Sequence, residues 1–361
     1  MSHFNIHPDF KLNGISYSKS ELKELAVSFI KEEDGEYEKE LGNFLLDWLL
    51  PSDEIIVQTS GSTGVPKKIP LLKQHMVNSA LATGAFFNLQ PKDTVLHCLP
   101  LAYIAGKMLL VRALVLGLHI DVIAPKATPI NALTKKYDFS AMVPLQLQNS
   151  IAFINAIGKL IVGGAPLTKN LKDALQNTSC QIYETYGMTE TITHIAARRV
   201  NGKNDNYTKT PIAPFQVFPE VKISKDDRNC LVIDAPHISK TRIITNDVVR
   251  VISNSEFLWL GRYDNIINSG GVKLIPEQIE AKLKPVIDLP FFVAGIPDER
   301  LGQKLVLVLE SEQVENSFLE SLAVLDTLSK YELPKTIYQL KTFVYTKTGK
   351  IHRSKTLAVL Q

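Results

Sequence analysis

The sequence predicts an α/β fold with two domains, a large N-terminal one and a small C-terminal one. Three observations lead to this prediction. The chain has 361 residues, 45% of them hydrophobic, enough for more than one core. Strand-like and helix-like runs alternate from Thr94 onwards, which is typical of a sheet covered by helices. After Pro211 the pattern changes to successive strands, and it changes again near Tyr263.

The elements of the first half follow from the spacing of apolar residues. Between residues 20 and 50 they recur at helical spacing, and Pro51 marks the end of that region. Further helices are predicted at residues 73–87 and 106–116. Short apolar runs predict strands at residues 55–57, 94–99, 119–123, 141–143 and 160–162. Together these elements predict a sheet flanked by helices.

The second half predicts a β-rich subdomain followed by a small α+β domain. Residues 221–233 and 242–260 have the pattern of successive strands. Beyond Tyr263 we expect a helix at residues 276–283, with Pro276 in its first turn, strands at 291–295 and 304–310, and a helical stretch at 316–331. We place the boundary at about Tyr263, so that the domains are residues 1–262 and 263–361.

Composition and charge argue against several classes of function. The formal net charge is +3 and the basic residues are scattered, which disfavours a nucleic-acid or membrane-surface partner. The apolar stretch 108–124 is interrupted by Arg112, His119 and Asp121, so it is a poor membrane span. The three cysteines are odd in number and far apart, and the chain starts with polar residues. We therefore expect free thiols, a cytoplasmic location and small-molecule partners; a homo-oligomer is compatible with the sequence.

A turn-rich segment from Gln58 to Lys67 combines two glycines, four hydroxyl side chains and a lysine. Glycine lets the backbone approach an anion, hydroxyls donate to phosphate oxygens, and lysine supplies positive charge. Composition alone leaves a polar surface turn almost as good an interpretation. A Walker-type loop is excluded, because Pro66 and Lys68 stand where that motif requires a glycine and a Ser or Thr.

This segment resembles the phosphate-binding signature of the adenylate-forming superfamily, which includes acyl-CoA synthetases, luciferases and peptide-synthetase adenylation domains. Five further matches follow in the family's order, at residues 163–167, 186–191, 245–247, 261–280 and 348–353. Six ordered matches make coincidence very improbable. The resemblance implies an AMP-binding domain and a mobile C-terminal domain. Only 57 residues precede Gln58, which implies a reduced N-terminal subdomain.

The resemblance also implies a two-step reaction that uses ATP, Mg²⁺ and coenzyme A. A carboxylate attacks the α-phosphate of ATP, and coenzyme A then takes the acyl group. Glu190 would hold Mg²⁺, to which a carboxylate is well suited, and Thr189 would donate to the α-phosphate. Gly270 and Gly271 would leave room for the pantetheine of coenzyme A. The nucleotide would be bound by Thr59, Ser60, Gly61, Ser62, Thr63, Gly64, Lys67, Gly163, Gly164, Ala165, Pro166, Tyr186, Asp247 and Arg262.

Outside these motifs most of the same residues would have ordinary structural roles. Thr189 and Asp247 would be turn residues, and Tyr186 would be a core aromatic. A single lysine near a C-terminus is usually on the surface, but Lys350 lies in Thr-Gly-Lys-Ile-His-Arg, where the family's catalytic lysine bridges the α-phosphate and the attacking carboxylate. Asp264 occupies the family's hinge, the position about which the small domain rotates between the two steps.

The identity of the acid depends on residues 99–116, which correspond to the segment that lines the acyl pocket. The resemblance assigns Tyr103, Lys107, Arg112 and Gly187 to the substrate. Arg112 lies in an apolar run, and a buried guanidinium needs an anionic or hydrogen-bonding partner. That partner is either a protein carboxylate or a second carboxylate on the substrate. The segment looks similar to short 2-succinylbenzoate–CoA ligases of the menaquinone pathway, and under that assignment Arg112 would bind the aryl carboxylate.

Three alternatives stay open at this point. Another aryl- or acyl-CoA ligase is the nearest, and indifference to the loss of Arg112 would favour it. An adenylation domain that serves a carrier protein is disfavoured, because no carrier module follows Gln361. A non-catalytic nucleotide-binding protein is disfavoured by the presence of both Glu190 and Lys350, and failure to release pyrophosphate with any acid would support it.

Overall fold

The computed structural model describes residues 6–32, 35–58, 68–130, 135–202, 213–312, 322, 325–346 and 351–360. The chain divides into two compact units. The first comprises Met1–Ile223, Ile233–Ile243 and Ile252–Glu256. The second comprises Ser224–Val232, Ile244–Val251 and Phe257–Gln361.

The first unit contains a mostly parallel sheet. Its strands, together with a separate hairpin, are β1 (Lys11–Leu12), β2 (Glu54–Gln58), β3 (Lys68–Leu72), β4 (Thr94–His97), β5 (His119–Val122), β6 (Tyr137–Met142), β7 (Ile157–Val162), β8 (Gln181–Gly187), β9 (His194–Arg199) and β10 (Phe215–Val217). The sheet order is β1-β5-β4-β6-β7-β8-β9-β10, while β2 and β3 pair with each other. The strands from β1 to β8 in this order are parallel, and β9 and β10 are antiparallel to their neighbours.

Helices cover this sheet. They are α1 (Lys19–Lys31), α2 (Glu36–Leu49), α3 (Lys73–Phe87), α4 (Ile104–Leu116), α5 (Pro144–Ser150) and α6 (Lys169–Ala174). Ser18 and Glu21 form a capping box that fixes the start of α1. Helix α4 ends at Gly117, whose φ of 74° is a conformation that glycine adopts without strain. Every helix among the described residues is too short or too polar to traverse a bilayer.

Among its described residues, the second unit combines two groups of strands with two α-helices. Strands β11 (Lys222–Lys225), β12 (Cys230–Asp234), β13 (Ile243–Ser253) and β14 (Glu256–Arg262) are hydrogen-bonded in the order β14-β13-β12-β11, and most of their residues belong to this unit. The other strands are β15 (Ile267–Ser269), β16 (Val272–Leu274), β17 (Phe291–Asp298), β18 (Gly302–Glu310) and β19 (Thr336–Leu340). Their order is β16-β15-β18-β17, with β19 parallel to β18. The helices are α7 (Pro276–Leu283) and α8 (Arg353–Ala358).

Strands β17 and β18 are buried on both faces. Val293 and Leu307 belong to a hydrophobic cluster that includes residues of α7. Phe292 and Val306 belong to a second cluster, together with Phe343 and residues of the C-terminal segment. Neighbouring residues of a strand point to opposite faces, so this alternation separates the two clusters. It also explains the continuous apolar run along β18.

The predicted fold class is confirmed, and so are most of the predicted elements. Helices α3 and α7 have the predicted bounds, and the strand-like runs lie in β2, β4, β5, β6, β7, β11–β14, β17 and β18. The helix expected at 316–331 is wrong over residues 325–331, which form turns; its residues 316–321 and 323–324 lie outside the described residues. There the amide of Ser329 donates to the side chain of Glu332, a local bond that competes with helical pairing. The boundary at Tyr263 stays a prediction.

Candidate active site

Two of the predicted motifs follow neighbouring strands of the first unit. Gly163 and Gly164 come directly after β7, and Tyr186 and Gly187 end β8, which is parallel to β7. Ligands of such sheets bind beyond the carboxyl ends of the strands. A Cβ at Gly187 would overlap the backbone of the segment that leads into β9. The glycine therefore lets β8 and β9 approach closely at this edge, while Ala165 is partly buried and Pro166 is exposed.

The turn between β8 and β9 is held by Thr191. Its hydroxyl accepts from the amide of Met188 at 2.9 Å and lies 2.6 Å from the carbonyl oxygen of Thr193. Ile192 has φ 65° and ψ −57°, a backbone conformation that is rare for a β-branched residue and is typical of strained functional segments. The turn Thr189–Thr191 thus has a fixed shape.

Glu190, in this turn, is exposed. Among the described residues no three His, Cys, Asp or Glu side chains cluster as metal ligands. A single carboxylate nevertheless suits Mg²⁺ in a nucleotide site, because that ion usually takes one or two carboxylates and completes its shell with phosphates and water. The donor set that the structure presents at this turn therefore fits the predicted ion.

Glu184 of β8 and Arg198 of β9 form a buried ion pair next to the two motifs. Arg198 of β9 donates to Oε2 of Glu184 through Nε at 2.8 Å and Nη2 at 2.6 Å. The amide of Leu167 donates to Oε1 of Glu184 at 3.2 Å. Burial alone would raise the pKa of Glu184, but the charges of Arg198 and Lys172, with these hydrogen bonds, hold that pKa below its ordinary value. The pair therefore ties the 163–167 loop to β8 and β9.

Arg198 also contacts Phe215, which packs against Tyr186, the residue predicted to bind adenine. Its guanidinium lies over the ring of Phe215, 4.4 Å from the centroid. The ring of Phe215 packs at a tilt against Tyr186, with centroids 5.8 Å apart. Such contacts fix ring orientation. The position of Tyr186 thus depends on β10 and on the ion pair, which the sequence did not indicate.

Arg112 of α4 is buried among polar groups of two other elements. Its exposed fraction is 1%. Nε lies 3.2 Å from Oγ1 of Thr83 on α3, and Nη2 lies 3.5 Å from Oγ1 of Thr193. Nη2 also lies 3.4 Å from Nε2 of His194. Since Thr193 and His194 directly follow the signature turn, the structure brings the predicted acid-binding arginine next to it.

The charge of Arg112 is not offset by any carboxylate among the described residues. Burial lowers the pKa of Arg112 to about 9, so the guanidinium is still charged at neutral pH. Burial and the nearby charge of Arg112 hold the pKa of His194 well below its ordinary value, so the imidazole is neutral. A buried cation surrounded by neutral groups is costly, and an anion supplied by a ligand would stabilise it.

Tyr103 and Lys107 lie at the start of α4 and contact different neighbours from Arg112. Tyr103 occupies the N-cap position of α4 without a side-chain capping hydrogen bond, and it is 43% exposed. The ammonium of Lys107 lies over the ring of Phe44 in α2, 4.9 Å from its centroid. Burial lowers the pKa of Lys107, and Asp47 and Glu40 oppose that shift. Their roles toward a substrate stay predictions.

In the second unit, the predicted ribose and hinge residues form one polar cluster. Asp247 is buried and accepts from Nε1 of Trp259 at 3.0 Å. Arg262 lies between two carboxylates, 3.6 Å from Asp247 and 3.3 Å from Asp264. Nδ2 of Asn246 also contacts both oxygens of Asp264, at 3.3 and 3.2 Å. The family motifs predicted a nucleotide-binding role for Arg262, which contacts both carboxylates, but none for Asn246 or Trp259.

Gly270 and Gly271 form the tight turn between β15 and β16. Their φ angles are 58° and 83°, which other residues adopt only with strain, and both glycines are exposed. The backbone at this turn is thus accessible to a ligand, as the prediction of a pantetheine site requires. The phosphate-loop residues Thr59, Ser60, Gly61, Ser62, Thr63, Gly64 and Lys67, and the predicted catalytic Lys350, lie outside the described residues.

Comparison with known proteins gives a consistent result. The family model for AMP-binding enzymes matches residues 50–235. A 2-succinylbenzoate–CoA ligase of Bacillus cytotoxicus is 26% identical over 342 residues, covering 85% of this chain and 70% of that protein. A crystal structure of an acyl-CoA synthetase (AMP-forming)/AMP-acid ligase II-like protein from Dyadobacter fermentans is 36% identical and covers 96% of this chain and 99% of its own, with a TM-score of 0.62. O-succinylbenzoate coenzyme A synthetase from Bacillus subtilis, solved with ATP and magnesium, shares the fold at 18% identity and a TM-score of 0.70, covering 84% of this chain and 69% of its own.

Proposed function

Because this chain belongs to the family of AMP-binding enzymes, we propose that it is an ATP-dependent acid–CoA ligase whose substrate is 2-succinylbenzoate. In the first step a carboxylate oxygen of the acid attacks the α-phosphorus of ATP, and pyrophosphate leaves. In the second step the thiol of coenzyme A attacks the acyl carbonyl carbon and AMP leaves. The product is 2-succinylbenzoyl-CoA, a precursor of menaquinone. The names of the relatives support this reaction.

One observation carries the choice of acid. Arg112 is a buried cation without a carboxylate partner among the described residues, and it contacts the residues that follow the signature turn. A fatty acid would leave this charge unpaired, whereas an acid with a second carboxylate would pair with it. We assign the aryl carboxylate to Arg112 and the succinyl carboxylate to activation. Tyr103, Lys107 and Gly187 complete the acid site in this proposal.

The remaining assignments concern ATP and coenzyme A. The loop 59–64 and Lys67 bind the β- and γ-phosphates, Tyr186 and the 163–166 loop flank adenine, and Asp247 with Arg262 binds the ribose. Glu190 holds Mg²⁺, which neutralises phosphate charge when bound, and Thr189 donates to the α-phosphate. Lys350 stabilises the attack on the α-phosphate. Domain 263–361 turns about Asp264 between the steps, and Gly270 and Gly271 then face coenzyme A.

We also infer that the enzyme works in the cytoplasm. Its three cysteines are free and buried, as expected in a reducing compartment.

The test is pyrophosphate release by the purified chain with ATP, Mg²⁺ and a panel of acids. The panel holds 2-succinylbenzoate, benzoate, a medium-chain fatty acid and 3-benzoylpropanoate, which has the same ring and chain without the aryl carboxylate. We expect turnover to be fastest with 2-succinylbenzoate and to consume coenzyme A. Faster turnover of a monocarboxylic acid would contradict the assigned substrate. If no acid led to pyrophosphate release, the proposal that the chain is an acid–CoA ligase would be wrong.

A further inference from the structure

The polar groups around Arg112 form a connected set. Thr83 Oγ1 lies 2.9 Å from the carbonyl oxygen of Ser79, 3.2 Å from Nε of Arg112 and 3.0 Å from Nε2 of His194. Thr83 and Arg112 are almost fully buried, and His194 is 7% exposed. Thr83 is on α3, Arg112 on α4 and His194 on β9, so three separate elements meet at one hydroxyl.

The hydrogen-bond directions in this set follow from its donors. A carbonyl oxygen can only accept, so Thr83 gives its one proton to Ser79. The oxygen of Thr83 must then accept from both Arg112 and His194. His194 therefore carries its proton on Nε2, and an Nε2–H group cannot accept from Arg112. The 3.4 Å approach of Nη2 to that ring is thus a contact without a hydrogen bond.

This arrangement leaves one edge of the guanidinium available. Nε donates to Thr83, and the one hydrogen bond of Nη2 within the described part of the chain is the 3.5 Å bond to Thr193. Nη1 has no hydrogen-bond partner among the described residues. The Nη1–Nη2 edge of a guanidinium matches the two oxygens of a carboxylate.

We propose that Thr83 and His194 are positioning residues, which hold Arg112 so that its Nη1–Nη2 edge meets the second carboxylate of the acid. This inference rests on the proposed function, because it takes the acid to be a dicarboxylate. Thr83 fixes the guanidinium through Nε. The Nε2–H group of His194 donates to Oγ1 of Thr83. Its imidazole stays neutral, so it neither attracts the substrate carboxylate as a second cation nor forms an ion pair with Arg112.

The experiment compares two acids on variants of the purified chain, 2-succinylbenzoate and 3-benzoylpropanoate. Thr83→Val keeps the shape and removes the oxygen, and should raise KM for 2-succinylbenzoate roughly tenfold, with kcat little changed. KM for 3-benzoylpropanoate should stay unchanged, because that acid has no carboxylate for Arg112. Thr83→Ser, which keeps the hydroxyl, should restore KM.

His194 is tested by a separate pair of variants. His194→Gln retains an N–H donor near the position of Nε2, and His194→Leu does not. We expect the leucine variant to lose selectivity for the dicarboxylate and the glutamine variant to keep most of it. Ser140→Ala is the matched control, because it removes another fully buried hydroxyl, bonded at 2.8 Å to the carbonyl of Leu96, outside this set. It should leave the KM ratio of the two acids unchanged.

The outcomes distinguish a failure of the positioning role of Thr83 and His194 from a failure of the proposed function. If 2-succinylbenzoate is a substrate and the valine and leucine variants change KM for both acids equally, or for neither, the positioning role is wrong and the proposed function stands. If another dicarboxylate is the substrate, the named acid is wrong, and the same comparison with that acid and its monocarboxylate analogue tests Thr83 and His194. If no dicarboxylate is a substrate, both are wrong.

Discussion

Replacing Glu184 should weaken both the fold and the nucleotide site. Glu184 is 5% exposed, and its Oε2 accepts two hydrogen bonds from Arg198, at 2.6 and 2.8 Å. Removing one partner of a buried ion pair costs about 3–5 kcal/mol, because the other charge is left without compensation. Arg198 keeps some solvent contact, with 14% of its side chain exposed, so we expect the lower end for Glu184→Ala, about 3 kcal/mol.

Glu184→Gln separates the charge from the hydrogen bond to the 163–167 loop. The amide oxygen can still accept from the amide of Leu167, whereas the charge opposite Arg198 is gone. Because the charge of Arg198 is uncompensated in this variant too, the loss of stability should be close to that of Glu184→Ala, about 3 kcal/mol. In the alanine variant the loop also loses its anchor, so AMP affinity should fall more there than in the glutamine variant.

Thermal unfolding by circular dichroism and titration calorimetry with AMP measure the two effects. At about 2–4 °C per kcal/mol, Tm should fall by roughly 6–12 °C in Glu184→Ala. Glu312→Ala is the control, since its 2.7 Å pair with Lys341 is exposed, and it should shift Tm by about 2 °C or less. Unchanged Tm in Glu184→Ala, or equal AMP affinity in the two Glu184 variants, would refute the reasoning.

The ion pair between Glu184 and Arg198 also predicts how the stability of the fold changes with pH. The pKa of Glu184 is lower in the fold than the value of about 4.3 expected when unfolded. The carboxylate therefore contributes stability above about pH 4.3, and this contribution is lost as the pH falls through the folded pKa. The difference in Tm between the original chain and Glu184→Gln should accordingly narrow in acid. A difference that widens there would contradict the assignment.

Two further predictions separate the half-reactions. Lys350→Ala should abolish adenylate formation while thioester formation from a supplied acyl-adenylate largely survives; equal loss in both assays would refute that division. Asp264→Pro should spare adenylation, measured by pyrophosphate release, and block thioester formation, while Asp264→Asn, which leaves the backbone free, should keep both; a proline variant that still makes thioester would exclude a hinge at this position.

Local pattern was enough to predict the fold class and the family. Helix α7 begins at Pro276 and α3 ends at Phe87, as predicted, because apolar periodicity and proline position are local signals. The family match at residues 50–235 confirms the resemblance that the ordered motifs indicated. The helix predicted over 316–331 failed at residues 325–331, where a side chain, Glu332, competes for a backbone amide.

The partners of the site residues could not be predicted from the sequence in the same way. Arg112 stood out as a cation in an apolar helix, but its neighbours Thr83 and His194 come from α3 and β9. Glu184 and Arg198 meet only because β8 and β9 pair antiparallel with this register. Which residues face each other across a sheet or between helices depends on tertiary packing, and one sequence carries no direct signal for it.

The most direct test of the central claim is the selectivity of the enzyme with and without Arg112. The quantity is the ratio of kcat/KM for 2-succinylbenzoate to kcat/KM for 3-benzoylpropanoate, measured in the original chain and in Arg112→Met. If the buried guanidinium pairs with the aryl carboxylate, the ratio should fall roughly a hundredfold, since truncating one partner of a buried charge pair costs about 2–5 kcal/mol. A ratio that is the same in both proteins would show that Arg112 does not recognise the acid.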